Sequence, residues 1–239
     1  MLLELLTWPE VETYLQTQNA IVLPIGSTEQ HGPTGIIGTD FVCAGAIARG
    51  LHKTLDALVG PTIPFGMAEH HTGFPGTISL KPATLTHLVQ DCVGSLAKHG
   101  FRKFFFLNGH GGNIAVLRTA FTEVYREWPQ VQCRLANWWT NSDTYQFVKE
   151  QYGDKEGSHA TPSEIALTMH ITEREVRLPL APAPADSGIF SPEDFRRRYP
   201  DGRMGSDPTV ATAEDGHRLY NLAVAALGRQ YTEFVRETG

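Results

Sequence analysis

The chain has 239 residues, 41% of them hydrophobic and 19% charged, which is the make-up of a folded globular protein able to bury one large core and excludes a disordered or fibrous class. Its formal charge of −6, with 20 Lys and Arg scattered except at Arg196, Arg197 and Arg198, excludes nucleic acid or an anionic membrane as the main partner, because both need a basic face. No run approaches the roughly 18 apolar residues of a membrane-spanning helix.

Thr7-Trp-Pro-Glu10 has the spacing of a capping box with proline in the first turn, and predicts a short helix to about Gln16. Ala20 to Ile25 is an aliphatic run suited to a strand buried on both faces of a parallel sheet. A helical pattern follows Asp40 to about Leu55. ALVGPTIPFG, from Ala57, reads as a second strand broken by Pro61 and Pro64, and residues 66 to 76 as a loop rich in His, Gly and Pro. Thr77 to Leu80 is a short β segment, and apolar residues recur at helical spacing from Ala83 to His99, closed by Gly100. Lys103 to Leu107, KFFFL, is a buried strand ending in Asn108-Gly-His-Gly-Gly-Asn113, from which a helix runs to Trp128. Val131 to Asn137 is a further strand leading into Trp138 and Trp139. Thr161-Pro-Ser-Glu164 opens a helix toward Ile171, residues 179 to 188 form a loop rich in Ala and Pro, Ser191-Pro-Glu-Asp starts a short helix, and Ala211 to Val235 is a long terminal one. Strands that alternate with helices predict an α/β fold, a mainly parallel central sheet with helices on both faces, in a single domain over residues 1–239.

The chemistry concentrates at strand ends, where open α/β sheets bind ligands. Glu29 and His31 follow the first strand at i and i+2, which in extended chain puts both side chains on one face about 7 Å apart at the backbone. They can grip one cation, share two, or be an exposed loop pair. Thr39 or Asp40 can equally cap the helix that begins there. In Asn108-Gly-His-Gly-Gly-Asn113, glycines allow a tight turn and close backbone approach, yet turn chemistry does not explain His110. Thr161, Pro162 and Glu164 fit Ncap, N1 and N3 of a capping box, so Glu164 is either a cap or a carboxylate placed to bind a cation. Cys43, Cys92 and Cys133 lie far apart in apolar settings outside any C-x-x-C, and read as buried thiols. With a start, MLLELLTWPE, that lacks the basic and apolar regions of a signal peptide, the expected location is cytoplasmic.

Together these stretches resemble the creatininase (creatinine amidohydrolase) family. The matching pieces are Leu23 to Pro33 with Gly38-Thr-Asp40, His71-Thr-Gly-Phe-Pro-Gly-Thr77, Asn108 to Asn113, His159-Ala with Glu164, and Gly205-Ser-Asp-Pro208. The resemblance implies a three-layer α/β/α amidohydrolase with two divalent metal ions per chain, zinc, manganese or iron, often assembled as a homo-oligomer such as a hexamer. Carried over residue by residue, Glu29, Asp40 and His110 match ligands of one metal, and His31 with the bridging Asp40 those of the other. Creatinine-hydrolysing members supply a glutamate two residues after the motif histidine, where this chain has Gly112. Glu164 is the residue to fill that place and, with His159 as proton donor or substrate contact, to serve catalysis, and His71 is a substrate contact near the entrance; Trp138 and Trp139, read from their place after a strand, either flank a flat substrate, with Trp139 as the contact, or pack in the core.

Carboxylates and imidazoles without thiolate suit such divalent ions. Two ions sharing Asp40 would bridge a water and bring its pKa from 15.7 toward about 7, while an acid protonates the leaving nitrogen. The expected substrate is a small-molecule amide, either a cyclic amide such as creatinine or a formamide. A peptide substrate is the alternative within the family, and a non-catalytic metal-binding relative, suggested by Gly112, is the alternative outside catalysis.

Overall fold

The computed structural model describes residues 1–185 and 187–237. Residue 186 of the expected loop at 179 to 188, and residues 238 and 239 of the expected domain, lie outside the described residues.

Three strands, β1 (Ala20–Ile25), β2 (Lys103–Asn108) and β3 (Gln132–Asn137), pair in parallel in that order. Parallel strands need crossovers, and the chain supplies helices: α1 (Trp8–Leu15) before β1, then α2 (Thr39–Leu55), α3 (Pro82–Lys98) and α4 (Asn113–Glu127). After β3 come α5 (Ser142–Gln151), α6 (Pro162–Thr172), α7 (Pro192–Arg198) and α8 (Ala213–Arg236). No helix among the described residues is long and apolar enough to cross a membrane.

The aromatic run of β2 explains the layering. Phe105 and Leu107 point to one face, against Cys43, Ala44 and Ile47 of α2 and Leu227, Tyr231 and Phe234 of α8. Phe104 and Phe106 point to the other, against Leu85, Val89 and Val93 of α3 and Leu117 and Phe121 of α4. The period of two along a strand thus sorts one run of residues into two separate cores. Phe106 packs 5.0 Å from Phe121 and is fully buried, so Phe106→Ala is expected to cost about 3–5 kcal/mol, read from the denaturant midpoint. A loss under ~1 kcal/mol is incompatible with this packing.

The strand expected from Ala57 is reduced to isolated parallel bridges, Val22 with Val59 and Ile25 with Ile63. Pro61 and Pro64 lack the N–H that a continuous ladder requires. The β segment at Thr77 to Leu80 likewise survives as two bridges, Thr28 with Ile78 and Gly66 with Ser79. Helix α5 has no counterpart among the expected elements: it is mostly polar, buries only Thr144 and Val148, and is announced chiefly by Asn141, which caps it through Thr144 N–H at 2.9 Å. Of the three thiols only Cys43 is fully buried.

Registry sets the site. Ile25, Asn108 and Asn137 are aligned neighbours at the carboxyl ends of the three strands. The loops carrying Glu29, His110 and Trp139 therefore leave the sheet side by side.

Candidate metal centre

The loop after β1 brings Glu29 and His31 over the sheet edge, and the first turn of α2 brings Asp40 to meet them. Capping does not account for Asp40: the Ncap is Gly38, without a side-chain cap, and Asp40 is buried in the second helical position. His110 is held by the two asparagines that bracket its turn. Asn108 donates to the His110 carbonyl at 2.7 Å and accepts its N–H at 3.1 Å, while Asn113 donates to Gly26 O at 2.9 Å and accepts from Met67 N–H at 3.1 Å. These amides tie the turn to the end of β1 and to the 66–67 segment, a role the glycine pattern did not disclose.

The carboxylates and imidazoles then close on one another. His31 Nε2 lies 3.0 Å from Asp40 Oδ1, and His110 Nδ1 lies 3.1 Å from Asp40 Oδ2 and 3.3 Å from Glu29 Oε2. Glu29, His31, Asp40 and His110 are all buried, yet Glu29 Oε2, His31 Nε2 and Asp40 Oδ2 make no well-directed hydrogen bond. Buried polar atoms without partners are costly, and a few-ångström spacing without mutual alignment is that of donors facing a common point, as around an ion with bonds near 2 Å. Ligand atoms fall within 4.8 Å of one another in three sets: Glu29, Asp40 and His110; His31, Asp40 and Glu164; and Glu29, His31 and His159.

The outer nitrogens of two imidazoles are occupied. His110 Nε2 is 3.0 Å from Met67 O, and His31 Nδ1 is 3.2 Å from Glu29 O. A carbonyl only accepts, so each ring donates there and turns the other nitrogen inward, the outer-shell arrangement that orients metal-ligating histidines. Gly112 sits against the same contact. A Cβ there would lie 2.3 Å from Met67 O and 2.4 Å from His110 Nε2, so the position admits no side chain as the backbone stands.

Burial by itself raises carboxyls and lowers imidazoles, but here opposite charges win. Glu29 is held at about 2 chiefly by His110, and Asp40 lies lower still beside His31 and His110. His31 is pushed up to about 10 by Asp40, and His110 well above its usual range by Glu29 and Asp40. A cation binding at the inner nitrogens displaces these protons. Raised imidazoles hold protons to higher pH, so metal affinity is expected to fall as pH drops from 8 to 6, by up to about tenfold per unit for each proton released. Zinc titrations at three pH values in that range measure this, and a pH-independent affinity contradicts it.

Glu164 caps its helix and stands beside the cluster. Its Oε2 accepts from Thr161 N–H at 2.9 Å and Thr161 Oγ1 at 3.0 Å, completing the capping box of α6, while the carboxylate also belongs to the set with His31 and Asp40. Cap and ligand are not exclusive readings, because one carboxylate has two oxygens.

His159 is buried, its ring 4.7 Å from that of His31 and 4.2 Å from that of His71. His71 lies at the floor of the cavity rather than its entrance: it is 2% exposed, with Nε2 3.4 Å from Glu29 Oε1. These residues line a cavity of about 490 Å³ whose walls include Trp139, Tyr145, Glu156, Ile189 and Met204. Trp139 is partly exposed there, and Trp138 is in the core. Hollows of about 770 and 590 Å³ lie toward the amino ends of the strands, around Tyr14, Leu55 and Arg236, and contain none of the clustered residues. Gln30, between Glu29 and His31 in sequence, is buried behind the cavity-lining His71 and bonded to Gly202, and carried no signal in the sequence beyond its place in the motif.

Residues 4–231 match the creatininase family, described as creatinine amidohydrolase. A mycofactocin precursor peptide peptidase of Mycolicibacterium smegmatis is 31% identical over 218 residues, 84% of this chain and 79% of that protein. A creatinine amidohydrolase of Pseudomonas putida is 37% identical over 114 residues, 45% of this chain and 44% of that protein. A solved structure described as "Creatininase Mn" superposes with a TM-score of 0.85 and 25% identity over 99% of both chains. With a match along nearly its whole length, the same parallel α/β fold and a buried cluster of metal-type side chains at the strand ends, the chain belongs to the creatininase family of amidohydrolases.

Proposed function

We propose that the protein is a dinuclear metal-dependent amidohydrolase that cleaves the C–N bond of a small non-peptide amide, such as a cyclic amide or a formamide. The observation that carries this reading is a pair of ligand sets sharing Asp40 at one cavity: Glu29, Asp40 and His110 would hold one ion, and His31, Asp40 and Glu164 the other. The donor set fits zinc, manganese or iron. Such ions, when bound, supply a water acidic enough to act at neutral pH and an electrophile for the amide carbonyl.

The chain's own residues supply the rest. His159, its ring against His31, is placed to take a proton at Nδ1 and pass it to the departing nitrogen, which cannot leave unprotonated. Burial and the neighbouring His31 charge push its imidazole down to about 4, so it is neutral at pH 7. His71 and Trp139 line the space where the substrate would sit, and a volume of about 490 Å³ is of small-molecule size.

Purified protein is expected to carry about two divalent ions per chain, and chelation to abolish hydrolysis that zinc or manganese restores. The assay is a panel of lactams, formamides and short peptides with products identified by mass. Metal-free protein with unaltered turnover ends this reading. A peptide substrate is the second reading, supported by a relative named a peptidase over 84% of the chain and by Gly112 in place of the glutamate that creatinine-hydrolysing members carry. The same panel separates the two.

A further inference from the structure

We infer that Gln30 is a positioning residue that sets which nitrogen of His71 and of His159 carries the proton, leaving Nδ1 of His159 as the atom available for proton transfer. Gln30 is buried, and its amide is pinned from both ends by backbone groups of fixed polarity: Oε1 accepts from Gly32 N–H at 2.8 Å, and Nε2 donates to Gly202 O at 3.0 Å. Turning the amide over would set oxygen against oxygen and N–H against N–H. Gly202 is shaped for this contact, with φ of +87° and a Cβ position only 1.9 Å from Gln30 Oε1, so any side chain there would expel the amide.

One amide hydrogen remains, and Nε2 lies 2.9 Å from His71 Nδ1 and 3.0 Å from His159 Nε2. His159 Nε2 is also 2.9 Å from the Gln30 backbone carbonyl, which only accepts. That nitrogen therefore carries its own proton and donates to Gln30 O. The remaining amide hydrogen goes to His71 Nδ1, which must be bare, and the proton of neutral His71 sits on Nε2, facing Glu29 Oε1 at 3.4 Å. His159 is left with an unprotonated Nδ1 on the side of Glu29. One residue thus fixes two rings through its side chain and its main chain, and Gly202 links that setting to the segment that closes the cavity near Met204.

The consequence for turnover rests on the hydrolase reading, whereas the proton positions do not. Zinc-loaded, ¹⁵N-labelled protein examined by long-range ¹H–¹⁵N correlation distinguishes protonated from bare imidazole nitrogens, with assignment through His71→Asn and His159→Asn. The expected parent spectrum has His71 and His159 both protonated on Nε2. In Gln30→Met, which keeps the volume and removes the donor, His71 is expected to populate both tautomers, and kcat on the parent's substrate to fall about 10–100-fold with KM and zinc content unchanged. Gln30→Glu, which replaces the donor by an acceptor, is expected to move the His71 proton to Nδ1, and serves as the second variant should Gln30→Met fold poorly. Tautomers unchanged in both variants, or a parent His71 protonated on Nδ1, overturn the proposal. Spectra that behave as expected in a protein that hydrolyses no amide leave the proton assignment standing and remove the hydrolase reading instead.

Discussion

Asp40→Asn is expected to lower kcat/KM on the protein's amide substrate by about 10³-fold or more, ~4 kcal/mol of transition-state stabilisation, and to strip most of the bound metal while the fold persists. Asp40 is common to the Glu29–His110 and His31–Glu164 sets, with one oxygen 3.0 Å from His31 and the other 3.1 Å from His110. Asparagine keeps the shape but offers one oxygen instead of two, removes a negative charge, and turns an N–H₂ toward an imidazole nitrogen that also needs to face a cation. The helix should tolerate it, since Asp40 caps nothing and the Ncap of α2 is Gly38. Metal analysis, circular dichroism and the amide panel on the same preparation decide the matter. Full metal content with parental turnover would show that Asp40 is not a shared ligand.

Gly112→Glu, which places a glutamate where the family resemblance implies one for creatinine hydrolysis, is expected to inactivate the protein rather than convert it. The Cβ alone would press on the Met67 carbonyl at 2.3 Å and on His110 Nε2 at 2.4 Å, the two ends of the hydrogen bond that orients His110. Backbone at residue 67 has to retreat or His110 has to turn, and either unsets the inner nitrogen 3.1 Å from Asp40. A stability loss of at least about 2 kcal/mol by thermal or denaturant unfolding is expected, with Gly112→Ala showing most of it. A Gly112→Glu protein as stable as its parent that hydrolyses creatinine would refute this account. Glycine at this position is thus not a simple vacancy, because the Met67 carbonyl occupies the space a side chain would need.

Periodicity made most elements legible. KFFFL and the aliphatic run at Ala20 announced strands buried on both faces, and the helical repeats after Asp40 and Ala83 lie within about a residue of α2 and α3. The Ala57 strand failed because two prolines interrupt its ladder, and α5 was hidden because a polar helix that buries two side chains leaves no apolar stripe. Capping chemistry was a truthful but partial guide: Thr161 and Glu164 do form the box, and the same spacing could not reveal that Glu164 also stands beside His31 and Asp40.

What the chain's order of residues settled by itself was the layering and the inventory of donors, since both follow from local rules, a period of two or 3.6 and the presence of carboxylate and imidazole at strand ends. What only the folded chain decided was which donors meet. Glu29 and His110 stand 81 positions apart in sequence yet 3.3 Å apart in space because β1 and β2 pair in register, and no local pattern encodes that pairing. Gln30 belongs wholly to this second kind: its hydrogen bonds reach Gly202, His159 and His71, and an amide's role is set by the fixed donors and acceptors that packing brings to each of its ends.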